Sequence, residues 1–329
     1  RTQLATILSL SALPVIFTIR TAGQGGKMVV KEDQVLRAVC LAIKSGVQYV
    51  DVEARLPGVV REEIVKSASA AGCFVIMSDH HYKDGYSDEE LEALFHLCYD
   101  GGRATVVKVV TRASRSADVV QLRRVVDRLE EGGSIPRPVV ALAVSDQGCL
   151  SRVLNGFMTP VTHEALPAAA APGQLTAREI ALVRSQLSLS TRRDYFLFGG
   201  PSIGKSPSPT MHNTGFAALG LPHRYALNAG PAEEGDAEAV ARMREVLTRP
   251  QCGGGNVTIP HKARALLLAD RLSDAARAIG SVNTLTVVRE AGERVVCGHN
   301  TDWIGIAAIV RQHLAPRAPT AVGLVVGAG

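Results

Sequence analysis

Short runs of consecutive apolar residues recur along the first part of the chain, at 15–21 (VIFTIRT), 49–53 (YVDVE), 74–78 (FVIMS), 105–111 (TVVKVVT) and 139–145 (VVALAVS). Between them, 31–45, 61–71, 88–98 and 116–131 place apolar residues at i, i+3 and i+4, the spacing of a helix with one buried stripe. Strands this continuously apolar are buried on both faces, which means parallel strands covered by helices. A βα repeat of roughly 25–35 residues predicts a (β/α)8 barrel. Stretches 156–165 and 173–175 are further strand candidates. A doubly wound open sheet is the alternative, but no glycine-rich phosphate loop follows any of these strands.

The rhythm changes after residue 187. Residues 185–193 (SQLSLSTRR) are polar, and 188–193 read as the linker between two domains. From Asp194 the pattern gives a strand at 195–198, a Gly/Pro/Ser-rich loop and a helix from about Thr210. A GGGNVTIPHK loop-to-helix passage follows, then a helix through 272–279, strands at 282–288 and 295–297, a helix from Asp302 and a strand at 320–326. This is α/β again without the barrel's period. The expected domains are therefore 1–187, 194–315 and the beginning of a third at 316–329.

Composition narrows the function classes. The chain has 329 residues, 46% hydrophobic and 20% charged, as in soluble globular proteins. The net charge of +5 is spread along the sequence and aromatics are scarce at 4%, so neither a phosphate-tracking basic tract nor a base-stacking platform is expected, and no nucleic-acid partner. Six cysteines lie far apart with no CxxC or Cys/His spacing, so no metal site is expected and reduced thiols in a cytoplasmic protein are. Pro14 and the polar Thr6, Ser9, Ser11 and Thr18 interrupt the apolar N-terminal run, and no uninterrupted stretch of about 18 apolar residues predicts a membrane span. The chain opens with Arg1 and stops at Val326-Gly327-Ala328-Gly329 directly after an apolar run, so both ends read as cuts through folded domains.

Chemistry enters through Lys108, which interrupts an otherwise apolar strand. A buried ammonium loses hydration, favouring the neutral amine, which can attack a ketone and form a Schiff base. An edge-strand lysine pointing to solvent is the alternative. Arg20, Asp51, Glu53, Ser78-Asp79-His80-His81 and Arg152 lie at or soon after other strand ends, which converge on one mouth in a barrel. An amine, an imidazole, a carboxylate and two arginines together could bind an anionic ketone, form an imine and move protons.

At these residues the sequence resembles type I 3-dehydroquinate dehydratase, through FTIRTAGQGG, YVDVE, VIMSDHH, VVKVVT, GCLSRVLNG and AAAAPGQLT, over about residues 1–187. The resemblance implies that Lys108 forms an imine with the C3 ketone of 3-dehydroquinate, that His80 moves the protons of elimination, and that Glu53 orients His80. It further implies that Arg20, Arg152 and Gln174 hold the substrate, that no cofactor is needed, and that the barrel lacks its first strand, which would precede Arg1. Two positions depart from the family pattern: Ala170 stands where serine is usual, and His81-Tyr82-Lys83 follow His80 where an aspartate commonly comes next.

In the second half, Ser206-Pro207-Ser208-Pro209 with His212-Asn213, Asn256 to Lys262, Ser281-Val282-Asn283-Thr284 and Asn300-Thr301-Asp302-Trp303 supply hydroxyls, amides, a lysine and a carboxylate, groups suited to a polyhydroxylated acid. In this order they resemble shikimate dehydrogenase, from about residue 195 to the end. The resemblance implies that Lys262 and Asp302 form an acid/base pair. Ser206 and Ser208 would bind the substrate carboxylate, while Thr258 and Asn283, with Asp302, would contact ring hydroxyls. NADPH would be the hydride donor to 3-dehydroshikimate, with Gly327, Ala328 and Gly329 opening the phosphate loop of a truncated Rossmann domain. Dehydratase followed by dehydrogenase resembles the last domains of the multifunctional AROM polypeptides of aromatic amino acid biosynthesis, expected as a homodimer. A quinate-pathway repressor related to them and a quinate dehydrogenase are the alternatives.

Overall fold

The computed structural model describes residues 2–314, which divide into two compact units between Arg184 and Ser185. The first unit opens with helix α1 (Thr2–Leu10) and continues β1 (Ile16–Thr18), α2 (Glu32–Lys44), β2 (Tyr49–Glu53), α3 (Gly58–Ala71), β3 (Phe74–His80), α4 (Asp88–Tyr99), β4 (Val106–Arg112), α5 (Ser116–Glu131), β5 (Val139–Val144) and α6 (Cys149–Leu154). Helix α7 (Ala177–Gln186) contains the boundary. The five strands lie in chain order, each parallel to the next, so β1 and β5 are the edges.

Side-chain alternation along these strands separates two buried layers. Val50, Val52, Val75, Met77, Val107, Val109, Ala141 and Ala143 point outward into a core with Val35 and Val39 of α2, Ile64 of α3, Phe95 of α4 and Leu122 of α5. Ile76, Val106, Val110, Val140 and Leu142 point the other way and form a separate inner cluster. Helix starts follow their capping chemistry. The Ser87 hydroxyl accepts from the Glu90 amide at 3.2 Å, and the Glu90 carboxylate accepts from the Ser87 amide at 2.8 Å, fixing the first turn of α4.

The barrel expectation needs correction in detail. Candidates 156–165 and 173–175 make no strand, only a bridge between Thr162 and Thr176. Pro160, inside the first candidate, removes an amide donor that a parallel ladder needs. The apolar N-terminal run divides into a helix and a three-residue strand on either side of Pro14. The parallel α/β architecture and the four longer strands are as expected.

The second unit contains β6 (Asp194–Gly199), α8 (Ser208–Ala218), β7 (Arg224–Ala229), α9 (Asp236–Thr248), β8 (Cys252–Val257), β9 (Arg271–Leu272), α10 (Asp274–Ile279), β10 (Thr284–Glu290), β11 (Glu293–His299) and α11 (Asp302–Leu314). Among the described residues its six strands run in the order β7-β6-β8-β10-β11-β9. β6 is parallel to β7 and β8, β10 is antiparallel to β8 and β11, and β9 is parallel to β11. Four elements escaped the pattern reading: β7, α9, β8 and the two-residue β9. The glycine-rich passage read as a loop is a central strand because its neighbours come too close for side chains. A Cβ on Gly253 would lie 2.5 Å from the Tyr195 ring, and one on Gly255 would lie 2.2 Å from the Phe196 carbonyl. Helix α10 begins after residue 272 because Arg271 and Leu272 pair with Cys297 and Gly298, and the Ser273 hydroxyl then caps the helix. The expected strand at 320–326 lies outside the described residues.

Gly254 is the sharpest of these constraints, with φ of +124° and a virtual Cβ 2.1 Å from the Leu285 carbonyl oxygen. Gly254→Ala should cost about 2–4 kcal/mol, because backbone on both strands must move. Urea unfolding of the two chains, followed by the fluorescence of Trp303, would show the shift; equal midpoints would mean the sheet accommodates a side chain here.

Candidate active sites

Strand register brings the first site together. Glu53 pairs with Ser78, and Ser78 pairs with Lys108, so these three residues form one row across β2, β3 and β4. Asp51 and His80 lie one inward-facing step below and above that row. Lys108 is therefore on an interior strand and faces the inner layer, which removes the solvent-facing alternative. Its ammonium is 2.7 Å from Asp51 Oδ2, with side-chain exposures of 16% and 3%.

Arg20, which follows β1, reaches the same cluster. It donates to Asp51 Oδ1 at 2.8 Å, to the Ser78 hydroxyl oxygen at 3.0 Å and to Glu53 Oε1 at 3.3 Å. The Ser78 hydroxyl donates to Asp51 Oδ1 at 2.5 Å. Burial works to raise the Asp51 pKa, but Lys108, Arg20 and these hydrogen bonds outweigh it and hold the carboxyl at about 2. His80 moves the other way for a cation. Burial, with the charges of Arg20 and Lys108, lowers its pKa to about 3, so the imidazole is neutral. Its Nδ1 is buried with no hydrogen-bond partner among the described residues.

The expectation that Glu53 orients His80 is not met. Glu53 accepts from the Thr21 amide at 2.8 Å, the Thr21 hydroxyl at 2.7 Å and Arg20, while none of the described hydrogen bonds joins it to His80. The period of two explains this, since Glu53 aligns with Ser78 and not with residue 80. The residue that holds His80 is Gln24, whose Oε1 accepts from the His80 amide at 2.6 Å. Gln24 Nε2 donates to Asp79 at 2.9 Å, and Arg55 grips both oxygens of Asp79 at 2.8 and 2.9 Å.

Above this cluster lies a cleft of about 740 Å³, lined among others by Arg20, Gln24, His80, Tyr82, Arg112 and Ala170. Arg152 is buried, donates to the Pro160 carbonyl at 3.1 Å and leaves its Nε unpaired. Desolvation lowers its pKa. Gln174 braces its own loop, accepting from the Ala170 amide and donating to the Val161 carbonyl, each at 2.9 Å. That engagement takes both ends of the amide expected to hold substrate. Asp51 was visible as a polar strand-end residue, but its pairing with Lys108 needed the register. Gln24 gave no signal, because a glutamine in a glycine-rich loop is a common surface feature, and Asp79 showed only as one of several polar residues at a strand end.

In the second unit Lys262 and Asp302 meet at 2.6 Å, with side-chain exposures of 33% and 45%. Asn283 Nδ2 donates to Asp302 Oδ1 at 2.7 Å, and Asn283 Oδ1 accepts from the Thr301 amide at 2.9 Å. The network continues inward, Thr284 donating to Asn283, Asn256 to Thr284, and the Tyr225 hydroxyl to Asn256. Burial works to raise the Asp302 pKa, but the hydrogen bonds from Lys262 and Asn283 and the lysine's charge bring it below the usual carboxylate value. Ser206 and Ser208 are joined to one another at 3.1 Å, at the start of α8. The end of β6 lies against the passage after β8: a Cβ on Gly199 would meet the Thr258 methyl at 2.8 Å. His212 stacks on Tyr225 at 4.3 Å, and Asn213 bonds the Tyr225 backbone, so both are structural here. Gly327, Ala328 and Gly329 lie outside the described residues.

Parallel βα units with charged groups at the carboxyl ends of their strands, followed by a mixed-sheet α/β unit, define a barrel-type domain joined to a second domain with its own polar site. The chain belongs to the type I 3-dehydroquinase family, whose model matches residues 1–191. The shikimate dehydrogenase substrate binding domain matches residues 197–285. Among curated proteins the chain is similar to the pentafunctional AROM polypeptides of Mycosarcoma maydis, 36% identical over 338 residues, and Malassezia globosa, 35% identical over 336 residues. Both matches cover 100% of the chain, which spans 19% and 20% of their lengths. Among solved structures, dehydroquinate dehydratase and shikimate dehydrogenase from S. pombe AroM matches with a TM-score of 0.77 and 33% identity, covering 95% of this chain and 57% of that one. The type I 3-dehydroquinate dehydratase of Clostridium difficile shares the fold, with a TM-score of 0.51 and 23% identity over 56% of this chain and 73% of its own.

The two shifted groups at the first site act in one direction. Below about pH 6.5 the unfolded chain protonates its histidines while native His80 stays neutral to about 3, so acid favours unfolding through that window. Asp51 adds stability above 3.8 that is lost as pH falls toward about 2. His80→Gln should therefore lose less stability than the parent chain between pH 6.5 and 4 in urea titrations; parallel pH profiles would show a solvated imidazole instead.

Proposed function

We propose that the first unit dehydrates 3-dehydroquinate to 3-dehydroshikimate and that the second holds 3-dehydroshikimate for reduction to shikimate. The observation that carries this reading is Lys108 in the inner layer of a parallel sheet, paired with Asp51 and one inward-facing step from neutral His80. The amine would form an imine with the C3 ketone. The iminium draws electrons from the neighbouring C2–H bond, and His80, neutral and unpartnered at Nδ1, takes that proton. The same imidazole then returns it to the departing C1 hydroxyl. Arg152, a desolvated cation with an open Nε, suits the substrate carboxylate. Arg20 lines the cleft and keeps the row of acids in place.

In the second unit Lys262 donates toward the reacting oxygen and Asp302 takes up and returns its proton, while Asn283 and Thr258 read ring hydroxyls and Ser206 and Ser208 the carboxylate. NADPH, when bound, supplies the hydride. Retention of Lys108, His80 and Glu53 at the first site and of Lys262 and Asp302 at the second supports the enzyme reading over a ligand-sensing repressor.

Borohydride added to the chain with 3-dehydroquinate should place a stable mass increment on the peptide containing Lys108, and Lys108→Ala should abolish it. A folded parent chain that takes no label would sink the dehydratase reading. For the second unit, Asp302→Asn should weaken shikimate binding measured by calorimetry by about ten-fold, or ~1.4 kcal/mol, the scale of one charge-assisted hydrogen bond.

A further inference from the structure

Asp51 has no part in the chemistry above, yet it touches the reacting nitrogen. Its carboxylate is 4% exposed and its oxygens are filled, Oδ2 by Lys108 at 2.7 Å and Oδ1 by Arg20 at 2.8 Å and the Ser78 hydroxyl at 2.5 Å. Glu53, the other inward acid of β2, is taken by Thr21 and Arg20. The two carboxylates are therefore not interchangeable: Asp51 alone serves the lysine.

Building on the imine reading, we propose that Asp51 is a further catalytic residue, a fixed anion that pairs with the Lys108 amine before condensation and becomes the counter-ion of the iminium after it. The atoms and charges balance around it. The ammonium carries three protons and one positive charge. When the C–N double bond replaces the C=O bond, two of those protons leave with the carbonyl oxygen as water. The third remains on the nitrogen with the positive charge. The carboxylate faces a cation before and after, and it needs neither a proton nor a movement.

The intermediates that Asp51 disfavours are the neutral ones. They are the free amine that attacks the ketone and the enamine formed when the C2 proton leaves. Loss of the C1 hydroxyl turns the enamine back into a conjugated iminium, and Asp51 favours that step. The carboxylate thus slows condensation and proton removal while assisting the departure of the leaving group. A buried acid in this position is a device for the elimination step, and the inner-facing alternation of β2 and β4 is what aims it.

The test labels the amine directly and requires no dehydroquinate. The chain is acetylated with limiting acetic anhydride at pH 7, and labelling of Lys108 is measured by peptide mass spectrometry relative to exposed Lys44 and Lys66. Asp51→Asn removes the anion and should raise the relative labelling of Lys108 by about ten-fold or more, as expected from losing an opposite charge at contact distance. Asp51→Glu should stay near the parent value. Unchanged Lys108 labelling in an Asp51→Asn chain with parent-like circular dichroism overturns the proposal. Should that variant not fold, the parent chain decides. With 13C-labelled aspartate, the Asp51 carboxyl resonance should keep its ionised position down to pH 3, and a midpoint near the ordinary aspartate value of about 4 overturns it. A chain that passes these tests but takes no borohydride label with dehydroquinate would leave the charge pair intact and remove the dehydratase reading instead.

Discussion

The first unit depends on keeping several charges inside an apolar sheet without leaving one unpaired. Lys108 and Arg20 face Asp51 and Glu53 in one connected cluster, Arg55 separately grips Asp79, and all three acids are buried. Desolvating an ion costs several kcal/mol, so such a cluster persists only with every partner in place, and removing one member costs about 3–5 kcal/mol. The pairing decides more than stability. Lys108 and Arg20 supply the positive charges that, with burial, keep His80 neutral, so the imidazole's readiness as a base follows from the same arrangement that anchors the amine.

Alternation and register convert this electrostatic requirement into sequence. A residue two positions along a strand returns to the same face, so Asp51 and Glu53 both point inward, as do Ser78 and His80. Lys108 falls in the Ser78 row because β3 and β4 are in parallel register. One residue of slip would turn the lysine out toward the helices and bury a valine in its place. The hydrophobic residues around it, Val106 and Val110 on the same strand and Val140 and Leu142 on the next, fix that register by filling the inner layer.

This explains which features could be read from the chain. Long apolar strands and amphipathic helices such as 116–131 are local patterns, and α5 has those same bounds. Lys108 stood out because it broke a local pattern. The partners of Lys108 and His80 were not legible, since they depend on register and on the path of the Thr21–Met28 loop, where Gly25 has φ of +82° and a Cβ on Gly26 would lie 1.9 Å from the Arg20 carbonyl oxygen. Strand β8 was misread for a related reason. Its glycines look like a loop in one dimension, and only the closeness of Tyr195, Phe196 and Leu285 shows why a strand needs them.

Each unit contains a lysine–aspartate pair at hydrogen-bond distance, 2.7 Å in the first and 2.6 Å in the second, yet the two are built for different work. The Lys262–Asp302 pair is open to solvent, where an ion pair contributes roughly 0–1 kcal/mol and proton exchange is easy. That suits groups that must pass a proton and recover it from water in each cycle. The Lys108–Asp51 pair is shielded, so the carboxylate stays beside the nitrogen throughout the chemistry there. A nucleophile that ends its first step still positively charged gains from that shielding, because the partner it starts with is the partner it needs afterwards.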